Sequence, residues 1–274
     1  MLDMAGESEW FEANRAWWDE RAPLHLRGEY YDVEGWLAGR TALRGFELTE
    51  LGDVAGRTLV HPQCHIGTDT LSWAREGAQV TGLDLSTESI RAARSLAERA
   101  GIDARFVCAN VYDAVEALGG ERFDIVYTGI GAIDWLPDID RWARTMAALC
   151  RPGGTLYLVE FHPVSNSLDD TSDEPVAIVR YPMDKVWHDV GIAGSYGAED
   201  AVTEQNETWV QIWSLGRVIS AIAAAGFVIE FLHEIDWTLV QQMPWLVRDG
   251  DRYVLPPEVP SLPMMYSLRA HLPA

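Results

Sequence analysis

Lysine is almost missing from this 274-residue chain: Lys185 is the only one of its 21 basic residues that is not arginine, a bias that reads as GC-rich bacterial coding rather than as chemistry. Positive charge as a whole is scarce, with 21 basic against 42 acidic residues and a formal net charge of −21. Such a surface repels phosphate backbones, because non-specific nucleic-acid affinity comes from basic side chains displacing counterions, so DNA and RNA are not expected as partners. Cysteine is scarce too. Cys64, Cys108 and Cys150 are odd in number and scattered, which fits a reducing compartment better than a secreted disulfide framework. No run of about 18 apolar residues occurs, and MLDMAGESEWFE lacks the basic and apolar regions of a secretory signal, so no membrane partner is expected and the expected location is cytoplasmic.

What the chain has in excess is aromatic surface: twelve Trp and nine Tyr. Many gather near the ends, as Trp10, Trp17, Trp18, Tyr30, Tyr31 and Trp36, and again as Trp187, Trp209, Trp213, Trp237 and Trp245. Two readings stay open: peripheral packing, or an aromatic-walled pocket for a flat or cationic ligand.

From residue 58 short apolar runs alternate with helical segments. TLVHP, AQVTGLDL, ARFVCAN, FDIVYTG and GTLYLVEF read as five strands. TLSWAREG, STESIRAARSLAERAG, a short VYDAVEAL and DIDRWARTMAALC read as the helices between them, with Ser86 as an N-cap, Gly101 as a stop, and Pro152 and Gly153 ending the last. This rhythm predicts an α/β fold, parallel strands with right-handed crossovers and helices on both faces of one sheet. It breaks at residues 162–213, where acidic turn-rich stretches flank PVAIVRYPM and ETWVQIW, a candidate inserted β-hairpin. LGRVISAIAAAGF then reads as a helix, and VIEFLHEI and LPMMYSLRA as two more strands, making seven. The expectation is a single domain over 1–274: an N-terminal helical cap (1–50), a Rossmann-like core (51–161), an insertion (162–213) and a C-terminal helix with strands (214–274).

The stretch LVHPQCHIGTD leaves the first strand and enters the first helix. In an open parallel sheet this is where ligands bind, near the free N–H groups of a helix start. Seventeen positions after Gly67 the second strand ends in Asp84, a carboxylate able to accept from two ribose hydroxyls. Strand, turn, helix, strand and acid make a nucleoside-binding order. His61, Cys64 and His65 could ligate a metal, but structural zinc takes four ligands at paired spacings that the chain lacks, so no metal is expected. A Cys–His nucleophile would need an orienting third group. A nicotinamide site would need G-x-G-x-x-G here, and QCHIGT lacks two of those glycines.

LVHPQCHIGTDTLSWAREGAQVTGLDLSTESI resembles the first two motifs of class I S-adenosylmethionine-dependent methyltransferases, and LCRPGGTLYLVEF resembles the segment before their fifth strand. More narrowly, HPQCHIGTDTLSWAREGA is similar to a bacterial branch whose loop reads Q-C-H-x-G. YYDV, IDWLPDI and LPMMYSLRA fit that branch. The resemblance runs from about His25 to the C-terminus. It implies S-adenosylmethionine as cofactor, S-adenosylhomocysteine as product, and methyl transfer to a small-molecule acceptor, plausibly in specialised metabolism. It places Gln63, His65 and Gly67 against the methionine part, Asp84 on the ribose and Asn110 with Val111 on the adenine. Thr128 and Gly129 fall beside the sulfonium, and Trp18 and Tyr31 in a closing cap. Two of three glycines are replaced, so Gln63 and His65 must turn their side chains away or make contacts themselves.

Methyl transfer from a sulfonium needs collinearity and exclusion of water. A base is needed only if the acceptor must lose a proton, and Asp134, His162 and His188 are the candidates, with Trp135 beside them. Each has a plain alternative: a turn cap, a backbone bond, a solvated hairpin. The acceptor pocket is expected in the 162–213 insertion and the Trp-rich C-terminal segment, for an aromatic or cationic molecule. A protein that binds S-adenosylmethionine without methylating, as in a cyclisation, remains the alternative. The Trp-bearing N-terminal segment could cap its own site or pack on a second subunit, as in a homodimer.

Overall fold

A computed structural model describes residues 4–168, 172–173, 181, 185–191, 193–198 and 200–274. Three helices come first: α1 (Met4–His25), α2 (Val33–Leu37) and α3 (Gly45–Leu51). The alternating core follows as β1 (Thr58–Pro62), α4 (Thr68–Arg75), β2 (Gln79–Asp84), α5 (Thr87–Ala100), β3 (Arg105–Cys108), α6 (Ala114–Ala117), β4 (Phe123–Thr128), α7 (Ile139–Leu149) and β5 (Cys150–Phe161). Then come β6 (Lys185–Val190), β7 (Glu207–Ile212), α8 (Leu215–Ala224), β8 (Val228–Ile235), β9 (Trp237–Thr238), β10 (Val247–Asp249), β11 (Arg252–Val254) and β12 (Met265–His271).

Local chemistry explains these boundaries. The Ser86 hydroxyl accepts the Ser89 N–H at the start of α5, and Gly101 ends it in the left-handed conformation, φ 65°. Ile90, Ala93, Leu96 and Ala97 form its buried stripe. The strands of the core are apolar on both sides because helices cover both faces. Leu59, Ile125 and Tyr157 pack with Trp73 on one face, while Val60, Val126 and Leu158 pack with α7 and α8 residues on the other. Each buried aliphatic side chain contributes about 1.5–3 kcal/mol through its area removed from water.

The main sheet has seven strands in the order β3-β2-β1-β4-β5-β12-β8, parallel except for β12, which runs antiparallel to β5 and β8. Chain order reverses between β1 and β4, so the carboxyl ends of these two strands open the crevice where a ligand binds.

The structure adds to two expectations. The described strand that pairs with β7 is β6; the expected arm PVAIVRYPM lies, apart from Tyr181, outside the described residues. The connection from β8 to β12, to which the sequence pattern assigned no element, builds a three-stranded sheet, β10-β11-β9, with its own small core of Leu168, Met243, Trp245, Leu246 and Met264. In addition, α7 stops at Leu149 rather than at Pro152, because β5 already begins at Cys150.

The insertion is tied to α1. The buried Arg21 guanidinium donates to the carbonyls of Gly194 and Gln205, to Thr203 Oγ1 and to Asn206 Oδ1. Asn14 exchanges two hydrogen bonds with the backbone of Trp209, at 2.7 and 2.9 Å. Helix α1 and the β6–β7 hairpin therefore cover the crevice of their own chain as one unit.

Candidate functional site

One cavity of about 1210 Å³ lies over the carboxyl ends of β1, β2 and β4 and extends outward to β9 and β11. The loop after β1 forms its floor, and its backbone keeps the shape that glycines normally supply. Gln63 and His65 have φ of 60° and 48°, left-handed values that non-glycine residues adopt at a cost of about 1–3 kcal/mol each. Their side chains turn aside and bond. Gln63 Nε2 donates to the Ala132 carbonyl at 2.7 Å, bracing the loop after β4. His65 Nδ1 meets Ser89 Oγ at 3.0 Å and its Nε2 meets His25 Nδ1 at 2.7 Å. Gly67 cannot be replaced in the same way: an added Cβ would stand 2.8 Å from that of Ala93 and 3.0 Å from the Phe106 ring.

Asp84 closes the inner end. Its two carboxylate oxygens accept the N–H groups of His65 and Ser86, each at 2.8 Å, and lone pairs remain for a ligand's hydroxyls. Burial pushes its pKa up to about 6 despite these bonds. Asn110 and Val111 line the cavity beside it; the Asn110 carboxamide oxygen accepts from Tyr112 N–H and caps the next turn.

Sequence reasoning missed a charged cluster between this end and Gly129. Arg44, at the start of α3, lies 3.6 Å from Asp69 and 3.6 Å from the buried Glu47, too far to hydrogen-bond, and its Nη1 is buried without a partner. Burial disfavours the guanidinium charge, but Asp69 and Glu47 outweigh it and raise its pKa. His61 Nδ1 bonds Thr70 Oγ1 at 2.8 Å, leaving Nε2 toward Gly129, where an added Cβ would be 3.1 Å away and 3.7 Å from Asp69. Burial holds His61 neutral, with a pKa down to about 3. The signal was one of six arginines ahead of the first strand, and nothing in a single sequence sets Arg44 apart from the others.

The other expected residues divide. Trp18, Tyr31, Gln63, His65, Asp84, Asn110, Val111, Gly129 and Asp134 line the cavity, and Trp135 with them. Gly67 starts α4 behind the wall, and Thr128 is fully buried beneath it. His162 is not brought there: its Nδ1 accepts from Val164 N–H, and its Nε2 sits 3.1 Å from Glu234 without hydrogen-bond alignment. His188 is not either; its ring stacks on Trp209 at 3.7 Å, and Nε2 bonds Glu207. Asp134 Oδ1 accepts weakly from Trp213 N–H at 3.4 Å. Burial, then the charge of Glu160, raises its pKa well above the usual carboxylate range. Glu160 itself gathers the N–H groups of Gly131, Ala132, Ile133 and Phe161, fixing the loop after β4. Among the described residues of the insertion, Tyr196, Val210 and Ile212 reach the cavity; the outer wall comes from Phe46 and residues 237–253.

Strand order, floor loop and terminal acid define a Rossmann-like nucleoside-binding domain, and the comparisons say which. Residues 63–154 match the methyltransferase domain family. The ubiquinone biosynthesis O-methyltransferase of Methylobacterium sp. (strain 4-46) is 34% identical over 143 residues, 52% of this chain and 56% of that protein. The chain thus matches about half the length of the curated relatives. In structure it is similar to an S-adenosylmethionine-dependent methyltransferase from Mesorhizobium loti, with TM-score 0.58, 21% identity and 86% and 99% of the two chains covered. It is also similar to the cyclase SpnF, with TM-score 0.50, 17% identity and 89% and 82% covered. Residues 63–154 thus carry the methyltransferase-domain match, and the chain shares the fold of S-adenosylmethionine-dependent methyltransferases.

The residues present fit that cofactor. Asp84 keeps lone pairs open to ligand hydroxyls, and Arg44, whose Nη1 makes no hydrogen bond, stands beside Asp69 as a cation and an anion that an amino-acid zwitterion would complement.

Proposed function

We propose that the protein transfers a methyl group from S-adenosylmethionine to a small-molecule acceptor in bacterial specialised metabolism. The observation that carries this reading is the single chamber that runs from Asp84 and Asn110, past Gly129, to an aromatic outer wall, so that cofactor and acceptor meet in one enclosed space. When bound, the cofactor supplies an electrophilic methyl on a sulfonium. The chain's own part is to hold, orient and exclude water. Asp84 takes the ribose hydroxyls, Asn110 and Val111 bracket the adenine, Arg44 and Asp69 fix the amino-acid tail, and Gly129 keeps the wall flat where methyl transfer occurs. Trp18, Tyr31 and His65 close the cap: Tyr31 bonds Tyr196 at 2.5 Å, and His25 bonds Ser195 at 2.5 Å. Asp134, a buried carboxyl lining the cavity, is the polar group nearest at hand for a hydrogen bond with the acceptor. The names of the curated relatives support oxygen as the methylated atom. The net charge of −21 argues against a nucleic-acid acceptor.

The same buried carboxyl in the cavity wall also favours a second reading, a protein that binds S-adenosylmethionine without methylating, in which Asp134 would hydrogen-bond a substrate as it rearranges. Calorimetric titration with S-adenosylmethionine and with NADH, on the wild type and Asp84→Ala, tests the shared premise. Binding of S-adenosylmethionine alone, weakened in the variant, is expected. A preference for NADH would overturn both readings. Release of S-adenosylhomocysteine over a panel of phenols and amines then separates methyl transfer from its alternative.

A further inference from the structure

The β8–β12 connection does more than join two antiparallel neighbours, for which a two-residue hairpin would serve. It builds β10-β11-β9 on a separate core, and this platform presents Trp237, Leu239 and Tyr253 to the outer end of the cavity, opposite Phe46 and Tyr30. The platform is linked to the reaction end by contacts. Trp237 meets the Phe46 ring edge-on at 5.8 Å; Phe46 shares α3 with Arg44; Arg44 pairs with Asp69 beside Gly129. The cavity, at about 1210 Å³, exceeds the roughly 300–1,000 Å³ of a one-ligand pocket, so space remains after a cofactor is placed at the inner end.

We infer that this platform is the acceptor site and that it selects a flat, uncharged ring bearing a hydrogen-bond donor. The inference rests on the methyl-transfer reading and deepens it. The cations around this end are already engaged. Arg252 donates twice to Asp249 and leans over Trp237, Arg248 donates to the Gly250 carbonyl, and Arg40 pairs with Asp32. Asp251 is exposed at the rim. An anion entering here would lose water against an apolar wall without a free cation, and a cation would find only the solvated rim carboxylate of Asp251, whereas a neutral ring packs against the Phe46–Trp237 pair. Gln242 supplies the polar contact: it lines the cavity, and its Oε1 is buried with no hydrogen-bond partner, an acceptor that a ligand O–H or N–H satisfies.

Three probes share one ring and differ in charge: catechol, dopamine and 3,4-dihydroxybenzoate. Their affinities for the protein saturated with S-adenosylhomocysteine, measured by saturation-transfer NMR, should place catechol at least fivefold ahead of both others. Trp237→Ala should weaken catechol tenfold or more, and Gln242→Leu about threefold, with S-adenosylmethionine affinity by calorimetry within twofold of wild type. Should Trp237→Ala lose the cofactor through misfolding, Trp237→Phe and Gln242→Leu decide the matter. Preference for a charged probe, no catechol binding to the saturated protein, or unchanged affinity in these variants would overturn the inference. A wild type that does not bind S-adenosylmethionine would overturn the methyl-transfer reading instead.

Discussion

The two ends of the cavity are built on different principles. At the inner end the contacts come from strand termini and a loop whose path the sheet dictates: Asp84 at the end of β2, Gly129 after β4, and Gln63 and His65 in glycine-like conformations after β1. At the outer end they come from side chains on appended elements, Phe46 on α3 and Trp237 and Tyr253 on the small sheet. The floor loop of the inner end tolerates altered side chains at Gln63 and His65 as long as the backbone path holds. The outer end changes ligand whenever its side chains change.

The sharpest way to break this contrast is at the hinge between the ends. Arg44→Leu leaves Glu47, which already receives hydrogen bonds from Tyr127 and the Arg44 N–H, as a buried acid without its cation, and strands Asp69 as well. Breaking such a pair costs about 3–5 kcal/mol, so urea unfolding should shift to markedly lower midpoints. A loss below about 1 kcal/mol would mean that the cluster reorganises and that the two ends are not mechanically joined there.

Next in size is the inner carboxylate. Hydrogen bonds to a charged group contribute about 1.5–3 kcal/mol each, so Asp84→Ala should lower S-adenosylmethionine affinity by about 100-fold in calorimetry while leaving catechol binding within a few-fold. Equal losses for both ligands would erase the distinction between the ends.

The same group makes the inner end pH-dependent. Burial raises the Asp84 pKa to about 6 in the free protein, and ribose hydroxyls donate best to the ionised form. Cofactor affinity should therefore be flat above about pH 7 and fall as pH drops through 6, by up to about tenfold per unit. Asp84→Asn, which cannot titrate, should be weak at every pH and lose this slope; an unchanged slope would assign it to another group.

The contrast also explains what the sequence revealed. Strand–helix rhythm, Ser86, Gly101 and the acid closing β2 are local signals; the caps and the acid stand where the pattern put them, and the core elements follow in the expected order, with β5 beginning four residues early at Cys150. The seven strands and the inserted hairpin were readable for the same reason. Arg44, Glu160 and the small sheet were not, because they matter through partners far along the chain: Arg44 through Asp69, Glu160 through the backbone of residues 131–133, and β9 through β11 across a Gly- and Pro-containing connection. His162 looked catalytic from its place after β5, yet backbone bonds and Glu234 occupy it. Periodicity cannot register contacts of that range.

The smallest effect separates backbone from side chain within the floor loop itself. Gln63→Gly relieves left-handed strain of about 1–3 kcal/mol and loses one hydrogen bond of about 0.5–1.5 kcal/mol, so stability and cofactor affinity should both move by little more than about 1 kcal/mol. His65→Gly relieves the same strain but cuts the chain of contacts Ser89–His65–His25–Ser195, through which the cap holds the floor. Hydrogen exchange in residues 193–198 should therefore quicken in His65→Gly and not in Gln63→Gly. If both variants quicken it alike, the side chains that replaced the glycines are interchangeable fillers, and the backbone path alone carries the inner end.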